Sequence, residues 1–102
     1  MAAFLDCCSL PELNGLRVVT ESRRDLESVA RCTACGSYWF YRFHEYGDDT
    51  TSWYTPLSPA EAEQLLTDPG GVDLAFLESR PSWMHDDDGV RRVDGAPDHP
   101  WS

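Results

Sequence analysis

The chain has 102 residues, 41% of them hydrophobic and 25% charged, which is the size and composition of one globular domain. Its formal charge is −10 and its eight basic residues are all arginines, so it lacks the clustered cations that a nucleic-acid surface needs. No apolar run approaches the ~20 residues of a membrane helix.

Residues 1–43 hold five Arg and five Asp or Glu, whereas residues 44–102 hold three Arg and thirteen Asp or Glu, so the second part carries the whole negative charge. That asymmetry predicts attraction for a basic protein partner. The start, Met1-Ala2-Ala3-Phe4-Leu5-Asp6, has no basic segment ahead of an apolar one, which predicts no signal peptide and a cytoplasmic address. In that reducing setting four cysteines point to metal, redox chemistry or buried thiols before disulfides.

In chain order, residues 1–15 read as a loop. Leu16–Ser22 is β-prone, Arg23-Arg24-Asp25 is a polar connection, and Glu27–Cys32 alternates polar and small apolar residues, so the two stretches predict a hairpin. Cys32-Thr33-Ala34-Cys35-Gly36 is a tight turn that runs directly into Tyr38–Tyr46, the most aromatic segment. Strand alternation places Trp39, Tyr41 and Phe43 on one face and Tyr38, Phe40, Arg42, His44 and Tyr46 on the other. The first set reads as core; Tyr38, Tyr46 and Tyr54 divide evenly between core and binding surface. Gly47-Asp48-Asp49-Thr50 predicts a turn and Thr51–Leu57 the returning strand.

Ser58-Pro59-Ala60-Glu61 has the form of a capping box, with Ser58 as N-cap, Pro59 at the first helical position and Glu61 three residues after the cap. A helix is expected to about Thr67, burying Ala62, Leu65 and Leu66. A second short helix over Asp73–Ser79 would pack Leu74 and Leu77. Beyond Pro81 the chain is rich in Asp, Gly and Pro, so residues 1–81 are expected to form one compact domain and 82–102 an acidic, loosely ordered tail. The resulting fold class is α+β, with a small antiparallel sheet of three to four strands, a CxxCG knuckle and one or two short helices.

Two thiolates converging from Cys32-x-x-Cys35-Gly36 make half of a tetrahedral zinc site. Cys8 and then Cys7, or one of them with His44, His85 or His99, are the candidates for the other half of a structural zinc centre; the alternative is a tight turn with two buried thiols. A reactive dithiol is disfavoured because a strand pattern, not a helix N-terminus, follows Cys35. The sequence contains neither a Gly-rich phosphate loop nor a nucleophile elbow, and His44, His85 and His99 lack motif spacing. Asp86–Asp88 lacks the alternation of a calcium loop. A non-catalytic binding protein is expected, with partner contacts at His44, Glu45, Tyr46, Asp48, Asp49 and Tyr54, where the aromatic strand opens and the charge turns negative.

The runs Arg31-Cys32-Thr33-Ala34-Cys35-Gly36-Ser37-Tyr38-Trp39-Phe40 and Trp53-Tyr54-Thr55-Pro56-Leu57-Ser58-Pro59-Ala60-Glu61-Ala62 resemble small bacterial, notably actinobacterial, immunity proteins of polymorphic toxin systems. The resemblance covers roughly residues 16–67. It implies a cytosolic protein that binds and neutralises a cognate toxin without catalysis. The four cysteines suggest a second reading, a zinc-ribbon-like adaptor within a larger assembly.

Overall fold

The protein is described by a computed structural model over residues 13–21, 25–46 and 49–95. Six strands follow one another in simple order: β1 (Leu13–Glu21), β2 (Asp25–Cys32), β3 (Tyr38–Tyr46), β4 (Asp49–Leu57), β5 (Pro81–Asp86) and β6 (Gly89–Asp94). Each pairs antiparallel with its sequence neighbour, giving one six-stranded meander, β1-β2-β3-β4-β5-β6. Only the β4–β5 connection is long, and it carries helix α1 (Pro59–Thr67) and two 3₁₀ turns at Pro69–Gly71 and Leu74–Glu78.

This overturns the expected sheet of three to four strands with a zinc-ribbon-like knuckle. Residues 82–94, expected as a loose tail, belong to β5 and β6. Pro81 begins β5, where a missing N–H is tolerated, and Asp87 and Asp88 occupy the hairpin turn and not a disordered run. The expected second helix is a 3₁₀ segment, with Leu77 buried and Asp73 accepting a bond from the Ala75 N–H at 2.9 Å.

The capping box forms as its residues dictate. Ser58 accepts from the Glu61 N–H at 3.1 Å and Glu61 Oε1 accepts from the Ser58 N–H at 2.8 Å. Glu61 also receives Arg80, whose two terminal nitrogens each donate to one carboxylate oxygen at 2.7 Å. Arg80 donates as well to the Pro56 carbonyl at 3.0 Å and lies 4.4 Å from the centre of the Phe76 ring. One guanidinium therefore ties the helix start, the end of β4 and the 3₁₀ segment together.

The helix layer covers one face of the sheet. Ala62 and Leu65 of α1 and Leu77 pack on Val29, Phe40 and Leu57, all buried. The main core thus lies on the Phe40 side of β3, not on the Trp39-Tyr41-Phe43 side that the sequence suggested. Further along the same face β3 turns polar, and buried Arg42 pairs with buried Glu27 across the β2–β3 ladder. Sharing the charge in a direct bond avoids the larger cost of one uncompensated buried ion. On the opposite face Trp39 and Cys32 are buried, with Leu13, Tyr54 and Trp83 packed against them.

Gly95 closes the fold. Its φ is +120°, and a Cβ there would lie 1.9 Å from the Glu78 carbonyl oxygen. The chain leaving β6 passes directly against the exit of the 3₁₀ segment, a path open only to glycine.

Candidate functional site

Antiparallel order decides which connections share an end of the sheet. The β3–β4 and β5–β6 connections both lie at one end, while the Cys32–Gly36 turn and the start of α1 lie at the other. Glu45, Asp87 and Asp88 are exposed at the first end, and Asp49 sits there in the register opposite Tyr46. Strands β3 and β5 are two places apart, so their ends are separated by roughly 10 Å. Asp86 bonds Arg91 at 2.9 Å and is partly neutralised. The β1–β2 connection also returns at this end.

Of the residues expected to meet a partner, His44, Glu45 and Tyr54 do not share one face. His44 is buried on the helix-covered face, its ring edge-on to Trp53 with centroids 5.3 Å apart. Glu45 and Tyr54 lie on the opposite face, exposed and half-buried respectively, while Asp48 falls outside the described residues. His44 is thus buried, whereas Glu45 is exposed and Tyr54 half-buried.

The face away from α1 holds a feature that sequence reasoning missed. Register places Val18, Ser28, Tyr41, Tyr54, Trp83 and Arg92 directly opposite one another in a single row across all six strands. Tyr41 and Tyr54 approach to 5.2 Å between ring centroids, tilted by 53°, and Tyr41 and Ser52 share a hydroxyl hydrogen bond of 3.1 Å. Arg92 stands 5.3 Å from the Trp83 ring centre, and the Trp83 Nε1 has no hydrogen-bond partner. Burial raises the pKa of the Tyr54 phenol, the neighbouring Tyr41 raises it further, and the Ser52 hydrogen bond opposes both, so the hydroxyl stays a neutral donor at physiological pH. Beside this row a concavity of about 350 Å³ is lined by Leu13, Gly15, Ser28, Ala30, Tyr41 and Tyr54. The signal in the sequence was the aromatic at Trp83, which only the unseen β4–β5 pairing connects to Tyr54.

At the other end, the cysteine turn is closed by bonds from the Gly36 N–H to the Cys32 carbonyl and from the Cys32 N–H to the Ser37 carbonyl, both 2.8 Å. Gly36 takes φ +78°, so glycine is required there for the turn itself. The thiols differ: Cys32 is buried, whereas Cys35 is exposed and lies 2.9 Å from the Ser37 hydroxyl, which also accepts from Trp39 Nε1 at 2.9 Å. Cys7 and Cys8, the expected remaining ligands, fall outside the described residues. Among the described residues no group of three or more His, Cys, Asp or Glu is placed to hold a metal ion, so Cys32 and Cys35 supply at most half of a tetrahedral set.

Among the described residues no helix is long and apolar enough to cross a membrane. No protein-family model, curated protein or solved structure matches this chain.

Proposed function

We propose that this protein is a non-catalytic inhibitor of the immunity type, which binds a basic toxin domain in the cytoplasm and neutralises it by occupying its surface. The observation that carries this reading is the gathering of exposed Glu45, Asp87 and Asp88 at one end of the sheet, within a chain of net charge −10. A concentrated negative end accelerates and orients the approach of a cationic partner. The sequence resemblance to immunity proteins of polymorphic toxin systems points the same way.

The test is co-expression with the product of the adjacent gene in a sensitive host. The expected result is survival with the wild-type chain and a stable purified complex. The Glu45→Gln/Asp87→Asn/Asp88→Asn variant should associate about tenfold more slowly at low salt, with the difference closing as salt rises. An adjacent gene without toxin activity, or a toxin that kills regardless of this protein, sinks the proposal.

A further inference from the structure

We propose that the outer edge of β6 receives an extended strand of the partner, which lengthens the sheet and carries Lys or Arg where it passes Asp87 and Asp88. This rests on the immunity-type reading and assigns it a surface. Among the described residues the sheet runs from β1 to β6 without closing, so its two margins present backbone groups that no strand pairs.

The two margins are not equivalent. β1 shifts register twice, between Gly15 and Arg17 and between Val18 and Thr20, and such irregularities break the even ladder that an added strand needs. β6 pairs with β5 without a shift, from Asp86 opposite Gly89 to Pro81 opposite Asp94. Its turn has two residues, which makes Asp86 and Gly89 the hydrogen-bonded closing pair, and in an antiparallel ladder such pairs alternate with non-bonded ones. Gly89, Arg91 and Val93 therefore face β5, while the N–H and C=O of Val90, Arg92 and Asp94 point outward. Pro81, which has no N–H, stands opposite Asp94 and so falls on a non-bonded pair, as this alternation requires.

The basic side chains of β6 are drawn back onto its own hairpin: Arg91 reaches Asp86 at 2.9 Å and Arg92 lies 5.3 Å from the Trp83 ring centre. Val90 is left 40% exposed. The strand is also held at both ends, by the hairpin turn and by Gly95 against the Glu78 carbonyl, so an incoming strand meets a preformed template.

Charge and sequence select the occupant. Asp87 and Asp88 immediately precede β6, so a strand laid along it ends beside two exposed carboxylates. A second copy would bring acid to that place: paired antiparallel, its Asp94 faces the hairpin, and paired parallel, its own Asp87 and Asp88 do. The residues after Gly95 include Pro97 and Pro100, whose odd spacing would turn one proline into any ladder built with β6. A strand of a basic protein meets neither obstacle.

The experiment is amide hydrogen exchange, read residue by residue by NMR, on the full-length protein free and bound to the toxin domain encoded beside it. In the free protein the amides of Val90, Arg92 and Asp94 should exchange about tenfold or more faster than those of Arg91 and Val93. Binding should slow the first three by about tenfold or more and leave β1 amides within about twofold. Val90→Pro removes an outward N–H without touching the β5 ladder, so the variant, once circular dichroism shows it folded, should bind about tenfold or more weakly. If it does not fold, the amide pattern decides alone. Leu16→Ser, at the β1 edge, should stay within about twofold of wild-type affinity. A complex whose β6 amides exchange as in the free protein, or a folded Val90→Pro that binds like wild type, overturns the edge while leaving the inhibitor reading intact. Slow exchange of all three outward amides in the dilute free protein would give the edge to the chain's own end, and protection that appears only on concentrating the free protein would give it to a second copy; either overturns the proposal. A wild type that neither binds nor protects overturns both readings.

Discussion

Glu61 is the carboxylate on which the helix layer depends, and its removal can be done in a way that separates charge from capping. Glu61→Gln keeps an oxygen to accept from the Ser58 N–H but abolishes the two-pronged ion pair with Arg80. The Arg80 bonds, opposed by partial burial and aided by the Ser58 N–H, lower the Glu61 pKa from 4.5 to about 2. Taken whole, that displacement is worth roughly 3 kcal/mol. The side chains are 30% and 29% exposed, so screening by water reduces it to ~1–2 kcal/mol. A carboxylate with a depressed pKa in the folded state contributes this stability fully above pH 4.5, and loses it as pH falls from about 4.5 towards 2. Urea unfolding at pH 7 should therefore show Glu61→Gln less stable by ~1–2 kcal/mol, with the gap closing below about pH 3. Glu61→Ala should cost about 1 kcal/mol more at pH 7 because it also opens the capping box. If Glu61→Gln matches wild type at pH 7, or if the gap is the same at pH 3, the Arg80 clasp does not act as described.

Gly95→Ala should destabilise by ~2–4 kcal/mol, because the new Cβ meets the Glu78 carbonyl and the positive φ penalises any side chain; a melting temperature within about 2 °C of wild type would refute the close approach. Cys32→Ser, at a buried site, should lower stability by ~1–3 kcal/mol while Cys35→Ser, at an exposed one, changes it by under about 0.5 kcal/mol. Equal large losses, with one zinc per chain in metal analysis, would instead establish a shared metal centre. Ending the chain at Arg80 should leave β4 as an exposed edge without its β5 neighbour and Thr55 without the 2.7 Å bond to Ser82, so the truncated protein should aggregate or melt without cooperativity. A truncated protein as stable as the full chain would restore the loose-tail expectation.

The parts of the fold legible in sequence were those with local causes. Ser58-Pro59-Ala60-Glu61 is a helix start because its bonds lie within four residues, and it formed as read. Tyr38–Tyr46 and Thr51–Leu57 are strands because aromatic side chains in the first, and threonines with aromatics in the second, favour extended backbone locally, and their pairing across a short turn follows. Two things were not legible. The Asp86–Gly89 hairpin looked like a solvated charge run because three acids stand together beside Val90 and Val93, which gain strand structure by pairing, through β5, with β4. Which face of β3 holds the main core was also hidden. Both faces begin with large aromatics, and the choice is made by α1 landing on Phe40 after a 58–80 excursion, a long-range event without a local signature. The site inherited the first gap, since its central row needs the β4–β5 register to be seen.

The two ends of the sheet carry different burdens, and this bears on how the protein tolerates change. At the α1 end, the capping box, the Arg80 clasp and the cysteine turn concentrate specific bonds whose loss reduces stability. At the hairpin end, Glu45, Asp87 and Asp88 are exposed like charges that repel one another, so the folded state gains little from them and neutralising them relieves self-repulsion. On the proposed inhibitor reading these charges meet an external cation. Substitutions there should therefore move association rate while leaving melting temperature level or slightly raised, whereas substitutions at the α1 end should move melting temperature first.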